Sequence, residues 1–368
     1  MDNKIPTFVE RDPDIIMAES KAQLEQLLGR EIQPAQVEQL ILNSVVYREI
    51  LLMNRFNAGL RQTLFQFATA PVLDYIAELV AAERLPAARA GCMVRFTLVA
   101  GHGAVIIPEG TRVSSIDGAA IFRTVADVIV HPEAVNVNVT VLADIPGRQS
   151  NGYTPGTINK ILDPLAFVSQ VENIDTTGGG SDIESDERLR ERIKLAPSQY
   201  SSAGSRASYL FYAKSANALI TDVAVISPIP GTVMIVPLTY ADQTPAQVIE
   251  DVYNACSPED RRPLTDTVIV VAPIRKDYAI TVDVVLFEGV DAKASQASII
   301  GILEAYAAEQ RAKLGLDITR SAITAKSKIP NMVYDVDVKT PAENLIISDE
   351  QFPYCTALEV NITGFNRG

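Results

Sequence analysis

The apolar residues of this chain change period once, and that change divides it. Up to about residue 90 they recur by threes and fours, and from Cys92 onward they alternate by twos. The first spacing lines one face of a helix and the second lines one face of a strand. No single layer type satisfies both. The predicted fold class is therefore α+β and multidomain: an N-terminal helical arm over residues 1–90, a mostly β domain over 91–177, a middle α+β domain over 178–273 and a C-terminal α+β domain over 274–368. A chain of 368 residues suits about two to four such domains.

In the arm, Asp12-Pro13, Gln33-Pro34 and Ala70-Pro71 mark three helix starts, because proline is tolerated in the first turn, and Gly29 closes the first helix. The longest helix is expected from Pro34 to about Phe67, roughly 50 Å of it. Its apolar series is Leu42, Val46, Met53, Phe56, Leu60 and Leu64, interrupted by Glu49, with a second set at Val37, Leu40, Tyr47 and Leu51. The two shorter helices offer too little surface to cover both sets. Those six residues are thus the interface candidates for partner chains, with a bundle inside the chain as the alternative. Arg48, Arg55 and Gln62, spaced by sevens, would then face solvent or select partners by charge.

From Val135 to Val141 the chain alternates Val with Asn or Thr, as a half-buried strand requires. Turn signals surround it: IPEGT at 107–111, SIDG at 115–118, IPG at 145–147 and NGYTPG at 151–156. Next comes GGGSDIESDERLRERI at 178–193, three glycines before a helix start. Gly178, Gly179 and Gly180 are the hinge candidates. Ser181 and Glu184 stand at capping-box spacing, with Asp182, Glu184, Asp186 and Glu187 early and Arg188, Arg190, Arg192 and Lys194 late, as the helix dipole favours.

A phosphate-cradling loop would need Lys-Ser or Lys-Thr after the glycines and would not carry four carboxylates. The spacing of the acids resembles a calcium loop, but Glu187 and Ile193 occupy the positions of its glycine and bidentate acid. Beyond Pro197 the expectation is a Ser198–Ser205 turn, a helix through Ala218, strands at 223–226 and 233–236, a helix at 247–254 and an apolar strand at 268–272. The last domain alternates at Ile280, Val282, Val284 and Leu286, then reads as a helix over 294–313 and a strand over 333–338.

The composition excludes several function classes. A net charge of −13, from 32 basic and 45 acidic residues, opposes binding to nucleic acid and to anionic membranes. Cys92, Cys256 and Cys355 lie far apart without metal-site spacing, which fits a reducing compartment. The opening MDNKIPTFVERDPD has no apolar export core, and no later run is long enough to span a bilayer; the chain is expected to be soluble when made. His102 and His131 are expected in ordinary surface turns. Ala203-Gly204-Ser205-Arg206-Ala207 fails the nucleophile-elbow pattern. No catalytic, cofactor-binding or metal residue is predicted, no cofactor is expected, and the chain is expected not to be an enzyme.

Several segments in order resemble the baseplate J-like family, the wedge proteins of contractile phage tails and tail-like injection machines. They are LDYIAELVAAERLPAARA at 73–90, IIPEGTRVSSIDGAAIFRT at 106–124, GRQSNGYTPGTI at 147–158, the 178–193 stretch, IPGTV at 229–233 and RPLTDTVIVVAP at 262–273. The arm carries little of the resemblance. The resemblance implies a structural wedge subunit without cofactors, joined to a second baseplate wedge protein, to copies of itself and to tail hub and sheath-initiating proteins. It implies a hetero-oligomeric sixfold ring around the hub that relays the trigger for sheath contraction. The implied location is the virion tail baseplate or a tail-like particle, assembled in the bacterial cytoplasm. A receptor- or glycan-binding tail module is the alternative, disfavoured by the absence of Trp and an aromatic content of 6%.

Overall fold

The computed structural model describes residues 5–9, 12–200, 204–241 and 243–367. Residues 1–4, 10 and 11 of the opening segment, and Ser201, Ser202 and Ala203 of the expected Ser198–Ser205 turn, lie outside the described residues. The chain forms two compact units, Met1–Arg84 with Ser185–Ile193, and Leu85–Glu184 with Lys194–Gly368.

The first unit is helical: α1 (Pro13–Leu28), α2 (Val37–Gln62), α3 (Val72–Glu78) and most of α4 (Asp186–Leu195). The Asp12 carboxylate accepts from the Asp14 N–H at 2.9 Å, Pro13 opens α1 and Gly29 closes it at φ 67°. Ile16, Leu42 and Val46 are buried together, with Met17, Leu24 and Ile50 beside them, and bind α1 to α2. The buried Asn57 behaves like a stretch of backbone. Its Oδ1 accepts from the Phe8 and Val9 N–H groups at 2.8 and 3.0 Å, and its Nδ2 donates to the Val9 carbonyl at 2.9 Å.

Two expectations for this unit need correction. Helix α2 is shorter than the stretch from Pro34 to Phe67, about 39 Å long. At its start, Gln33 and Gln36 close a turn instead; at its end the Thr63 hydroxyl turns back to the Leu60 carbonyl at 2.7 Å, which leaves Leu64 and Phe67 outside the helix. The Ser181–Glu184 capping box does not form. Helix α4 begins at Asp186, and the Ser185 Oγ accepts from the Arg188 N–H at 3.4 Å. Ser181 has its backbone in β pairing with Ala88, so it is extended and unable to begin a helix. Of the four early acids only Asp186 and Glu187 stand in the first turn.

The second unit begins with the β domain: β1 (Gly91–Leu98), β2 (Val105–Ile107), β3 (Arg112–Ser115), β4 (Ile121–Thr124), β5 (Val128–Val130), β6 (Asn136–Ala143), β7 (Ile158–Ile161) and β8 (Val168–Asn173). Six strands form one antiparallel sheet in the order β7-β3-β4-β6-β1-β8, and β2 pairs with β5. The alternation read from the sequence is realised: Val139, Val141 and Ala143 point into the core while Asn136, Asn138 and Thr140 are exposed. Phe96, Phe122, Ile158 and Val171 fill that core.

The sheet curls until its end strands, β7 and β8, lie side by side, making a near-barrel. Asn173 closes the seam. Its buried side chain accepts from the Ile158 N–H at 2.9 Å and donates to the carbonyls of Thr154 at 3.0 Å and Asp175 at 2.7 Å, while its own carbonyl accepts from the Gly156 N–H at 2.9 Å. His131 follows the β5 strand on the surface, as expected. His102 does not fit the surface-turn expectation: it is buried, and both ring nitrogens meet backbone carbonyls. The flanking glycines allow the turn that folds the ring inward.

The middle segment contains α5 (Arg206–Ala216), β9 (Ile220–Ile226), β10 (Thr232–Thr239), α6 (Ala246–Cys256) and β11 (Thr267–Val270), close to the sequence expectation. The sheet order is β11-β10-β9, with β10 antiparallel to β9 and parallel to β11. Tyr209, Ile220, Ile235, Val248 and Val252 are buried between the helices and the sheet.

The last segment holds β12 (Ile274–Phe287), α7 (Ala292–Arg311), α8 (Arg320–Ser327), β13 (Val333–Thr340) and β14 (Gln351–Asn366). Helix α8 and strand β14 are additions to the sequence reading. Strand β14 runs parallel to β12, and its pattern is broken where the register shifts near Thr356 and Thr363. At each shift the threonine hydroxyl replaces the missing ladder bond, donating to the Tyr278 carbonyl at 3.1 Å and to the Val284 carbonyl at 3.3 Å. Those bulges hide the alternation of Leu358, Val360 and Ile362.

Asn173→Ala is expected to lower the stability of the β domain by about 2–4 kcal/mol, because it strands the Ile158 N–H and two carbonyls away from water. Urea unfolding of the purified chain measures it, and a change within about 0.5 kcal/mol would remove Asn173 from the seam.

Candidate assembly surface

Helix α2 buries only one of its faces. The Leu42, Val46, Ile50 and Asn57 side packs inside the unit. About 100° round the helix, Ile41, Val45, Leu52 and Phe56 form a second stripe and are 49–60% exposed. A third set on the far side, Leu40, Tyr47 and Leu51, is exposed as well. Arg48, Arg55 and Gln62 run between the two exposed stripes, and neither arginine has an ion-pair partner among the described residues. Scattered exposed apolar residues are ordinary on a protein surface, whereas a contiguous strip along one helix marks an interaction site.

The structure separates the six interface candidates. Leu42 and Val46 are buried against Ile16 within the chain, Met53 is half-buried, and Phe56, Leu60 and Leu64 are exposed. Ile41, Val45 and Leu52 were missed by the sequence reading. The signal for them was the heptad of Arg48, Arg55 and Gln62, which they flank on the helical wheel.

The stretch that the sequence marks as glycine hinge and helix start is held on both sides. In the second unit, residues 85–91 pair with 178–184. Gly91 and Gly178 exchange backbone bonds of 2.8 and 3.1 Å, Ala88 and Ser181 exchange bonds of 2.9 and 3.2 Å, and the Glu184 N–H donates to the Leu85 carbonyl at 3.1 Å. The Leu85 N–H in turn donates to the buried Glu184 carboxylate at 3.0 Å. In the first unit the Arg84 guanidinium reaches both Asp74 and Asp186, each at 2.7 Å. Arg190 donates to the Phe65 and Ala68 carbonyls at 3.3 and 2.9 Å, and Arg192 to the Glu83 carbonyl at 3.0 Å.

Of the hinge candidates, Gly178 and Gly180 are held by hydrogen bonds and Gly179 adopts a glycine-favouring conformation. Gly178 is in the backbone pairing yet has open space where a Cβ would stand. Gly179 adopts φ +81°. Gly180 is clamped: the Asn151 amide donates to its carbonyl at 2.8 Å and accepts from its N–H at 2.9 Å, and a Cβ there would lie 2.3 Å from the Gly147 carbonyl oxygen. Beside it Asp182 accepts from the Arg148 N–H at 3.0 Å and pairs with its guanidinium at 2.9 Å, which holds that carboxyl below its ordinary range.

Burial pushes the Cys92 and Cys256 thiols up to about 12, so neither is a thiolate at neutral pH. Among the described residues no group of three His, Cys, Asp or Glu side chains is placed to hold a metal, and no helix is long and apolar enough to cross a membrane.

Three family models match in succession: the baseplate J-like protein barrel domain over residues 93–180, the baseplate J-like central domain over 201–272 and the baseplate J-like protein C-terminal domain over 278–361. Together they take in more than half of the chain, which belongs to the baseplate J-like family. Baseplate protein J of Escherichia phage P2 is 33% identical over 184 residues, 50% of this chain. The chain spans 60% of the length of that curated relative. A chain in the cryo-EM structure of the anti-feeding prophage baseplate, sixfold symmetrised, is similar at a TM-score of 0.43 and 12% identity, covering 93% of this chain and 92% of that one.

Gly180→Ala is expected to cost about 2–4 kcal/mol, because the carbonyl it meets belongs to backbone and cannot swing away. Gly178→Ala has open space and is expected to stay within about 1 kcal/mol. Thermal melts of the two single variants compare them directly; equal losses would mean that close approach at Gly180 is not what the triplet provides.

Proposed function

We propose that this chain is a structural baseplate wedge subunit of a contractile tail or injection machine. It assembles with a second wedge protein, with copies of itself, and with tail hub and sheath-initiating proteins into a sixfold ring around the hub. Its work is mechanical and needs no enzymatic activity or cofactor: the ring holds the sheath extended and relays the trigger for contraction. Its place is the tail baseplate of a virion or the corresponding part of a tail-like particle, put together in the bacterial cytoplasm.

The observation that carries this reading is the ordered set of three J-like domains following a helical arm whose long helix leaves two apolar stripes uncovered. A monomer exposing such a strip would tend to aggregate, while a subunit of a larger particle buries it on assembly. Arg48 and Arg55 between the stripes offer charge that a partner helix could match, which sets register and partner choice. In this reading Gly178–Gly180 is the hinge at which the relay bends, and bending requires the Gly91–Gly178 and Asn151–Gly180 bonds to open.

The test exploits exposure. Leu52→Asp with Phe56→Asp changes two side chains that the chain itself does not bury, so circular dichroism and melting temperature should stay within a few degrees. Co-expressed with the products of neighbouring reading frames, the double variant is expected to lose at least tenfold in co-purified partner. Undiminished recovery, with the native mass unchanged by light scattering, would overturn assembly through the arm. Removing residues 1–70 is a poorer probe, since it also takes away the carbonyls that receive Arg190.

A further inference from the structure

We propose that His102 is a cationic latch: as an imidazolium it donates from both ring nitrogens to two loop carbonyls and so ties the loops at one end of the β domain in a pH-dependent way. The geometry is specific. Nδ1 lies 2.6 Å from the Gly103 carbonyl oxygen and Nε2 lies 2.8 Å from the Ala134 carbonyl oxygen, with the residue only 4% exposed. A carbonyl oxygen can only accept. A neutral imidazole has a single N–H, so in that form one of the two contacts would set lone pair against lone pair. Protonation supplies the second donor and satisfies both.

What the latch holds is strained. Ala134 follows Glu133, at φ 72°, and the His102 ring sits 6.5 Å from that of Phe167, at φ 67°. Non-glycine residues persist in that region only where their surroundings over-determine them. The neighbouring backbone completes the tie: the Leu98 N–H donates to the Val135 carbonyl at 2.9 Å and the Val99 N–H to the Phe167 carbonyl at 2.8 Å. Val99, Val135 and Phe167 are thereby held with their side chains exposed. The latch thus fixes the shape of an apolar loop tip.

The other charged or titratable groups on these loops are few. His131 and Glu133 lie on the Ala134 loop, and on the segment leading to Phe167 Asp163 is already held by Arg112, at 2.6 Å. The Ala134 carbonyl first, then that of Gly103, raise the His102 pKa above its ordinary 6.5, against a smaller opposing effect of burial. A raised folded-state pKa contributes stability that is complete below the unfolded value and is lost as pH climbs through the folded one. The latch is therefore closed below the ordinary imidazole pKa and opens as pH climbs through the raised His102 midpoint.

The chain has two histidines, so its ring resonances in a proton–nitrogen NMR spectrum are two sets. Titration of the whole chain is expected to show His102 with a midpoint above its ordinary 6.5 and, below that midpoint, with both ring nitrogens at protonated shifts. Amide protection in residues 98–104 and 131–135 should fall as pH passes the His102 midpoint and should lose that dependence in His102→Gln. His131→Gln assigns the resonances. A His102 midpoint at or below its ordinary 6.5, or a neutral-ring nitrogen pattern at that pH, overturns the proposal. If His102→Gln fails to fold, the titration of the unchanged chain still decides.

Discussion

The pairing of residues 85–91 with 178–184 is the constraint on which the rest of this molecule depends. The chain enters its second unit at 84/85 and leaves it at 184/185, and both of these positions adjoin the same short ladder. Loop closure over nearly a hundred residues costs entropy that grows only slowly with length, and a few backbone bonds at the neck recover it. The glycines belong to this neck. Only a residue without a Cβ lets the Gly180 backbone approach the Gly147 carbonyl closely enough for Asn151 to clamp it. Arg84, immediately outside the neck, gathers Asp74 and Asp186 with a planar fork that lysine could not reproduce.

A second theme is the use of side chains as substitute backbone. Asn57 pairs with Phe8 and Val9 as a strand would, Asn173 bridges the two end strands of the near-barrel, and Thr356 and Thr363 fill the two gaps in the β12–β14 ladder. Each stands where a regular ladder stops. Buried N–H and C=O groups must be paired, and an amide or hydroxyl of the right length does this without continuing the strand. Strand β14 illustrates the benefit. It lies at the edge of its sheet, where bulges discourage pairing with another chain.

Helix α2 shows the opposite economy. Its Leu42–Val46 face is satisfied locally by α1, and its other apolar residues are left in solvent. In the proposed baseplate role this is an unfinished core, completed by neighbours in the particle. Such division explains why the helix looks too apolar for its local surroundings and why periodicity could not say which stripe faces inward. Leu42 and Phe56 are equally good apolar residues in the sequence; the position of Ile16 decides between them.

Much of the architecture was legible in residues taken one segment at a time. Pro13 and Gly29 bound α1, alternation at 135–141 marks β6, and the helices expected after Ser205 and over 247–254 form as α5 and α6. These depend on local preferences, which act over a few residues and leave a local record. Distant partners decided the remainder. Ser181 has the spacing of a cap, but Ala88 draws its backbone into a bridge and passes the helix start to Ser185. His102 has the neighbours of a surface turn, yet Ala134, thirty-two residues later, supplies the carbonyl that makes it a buried donor. Steric preference and hydrophobic period, which act locally, set the order and type of the segments. Which apolar face stays exposed, which glycine cannot gain a Cβ and which histidine is buried against two carbonyls were decided by packing, because each of those rests on a group that approaches from far along the chain.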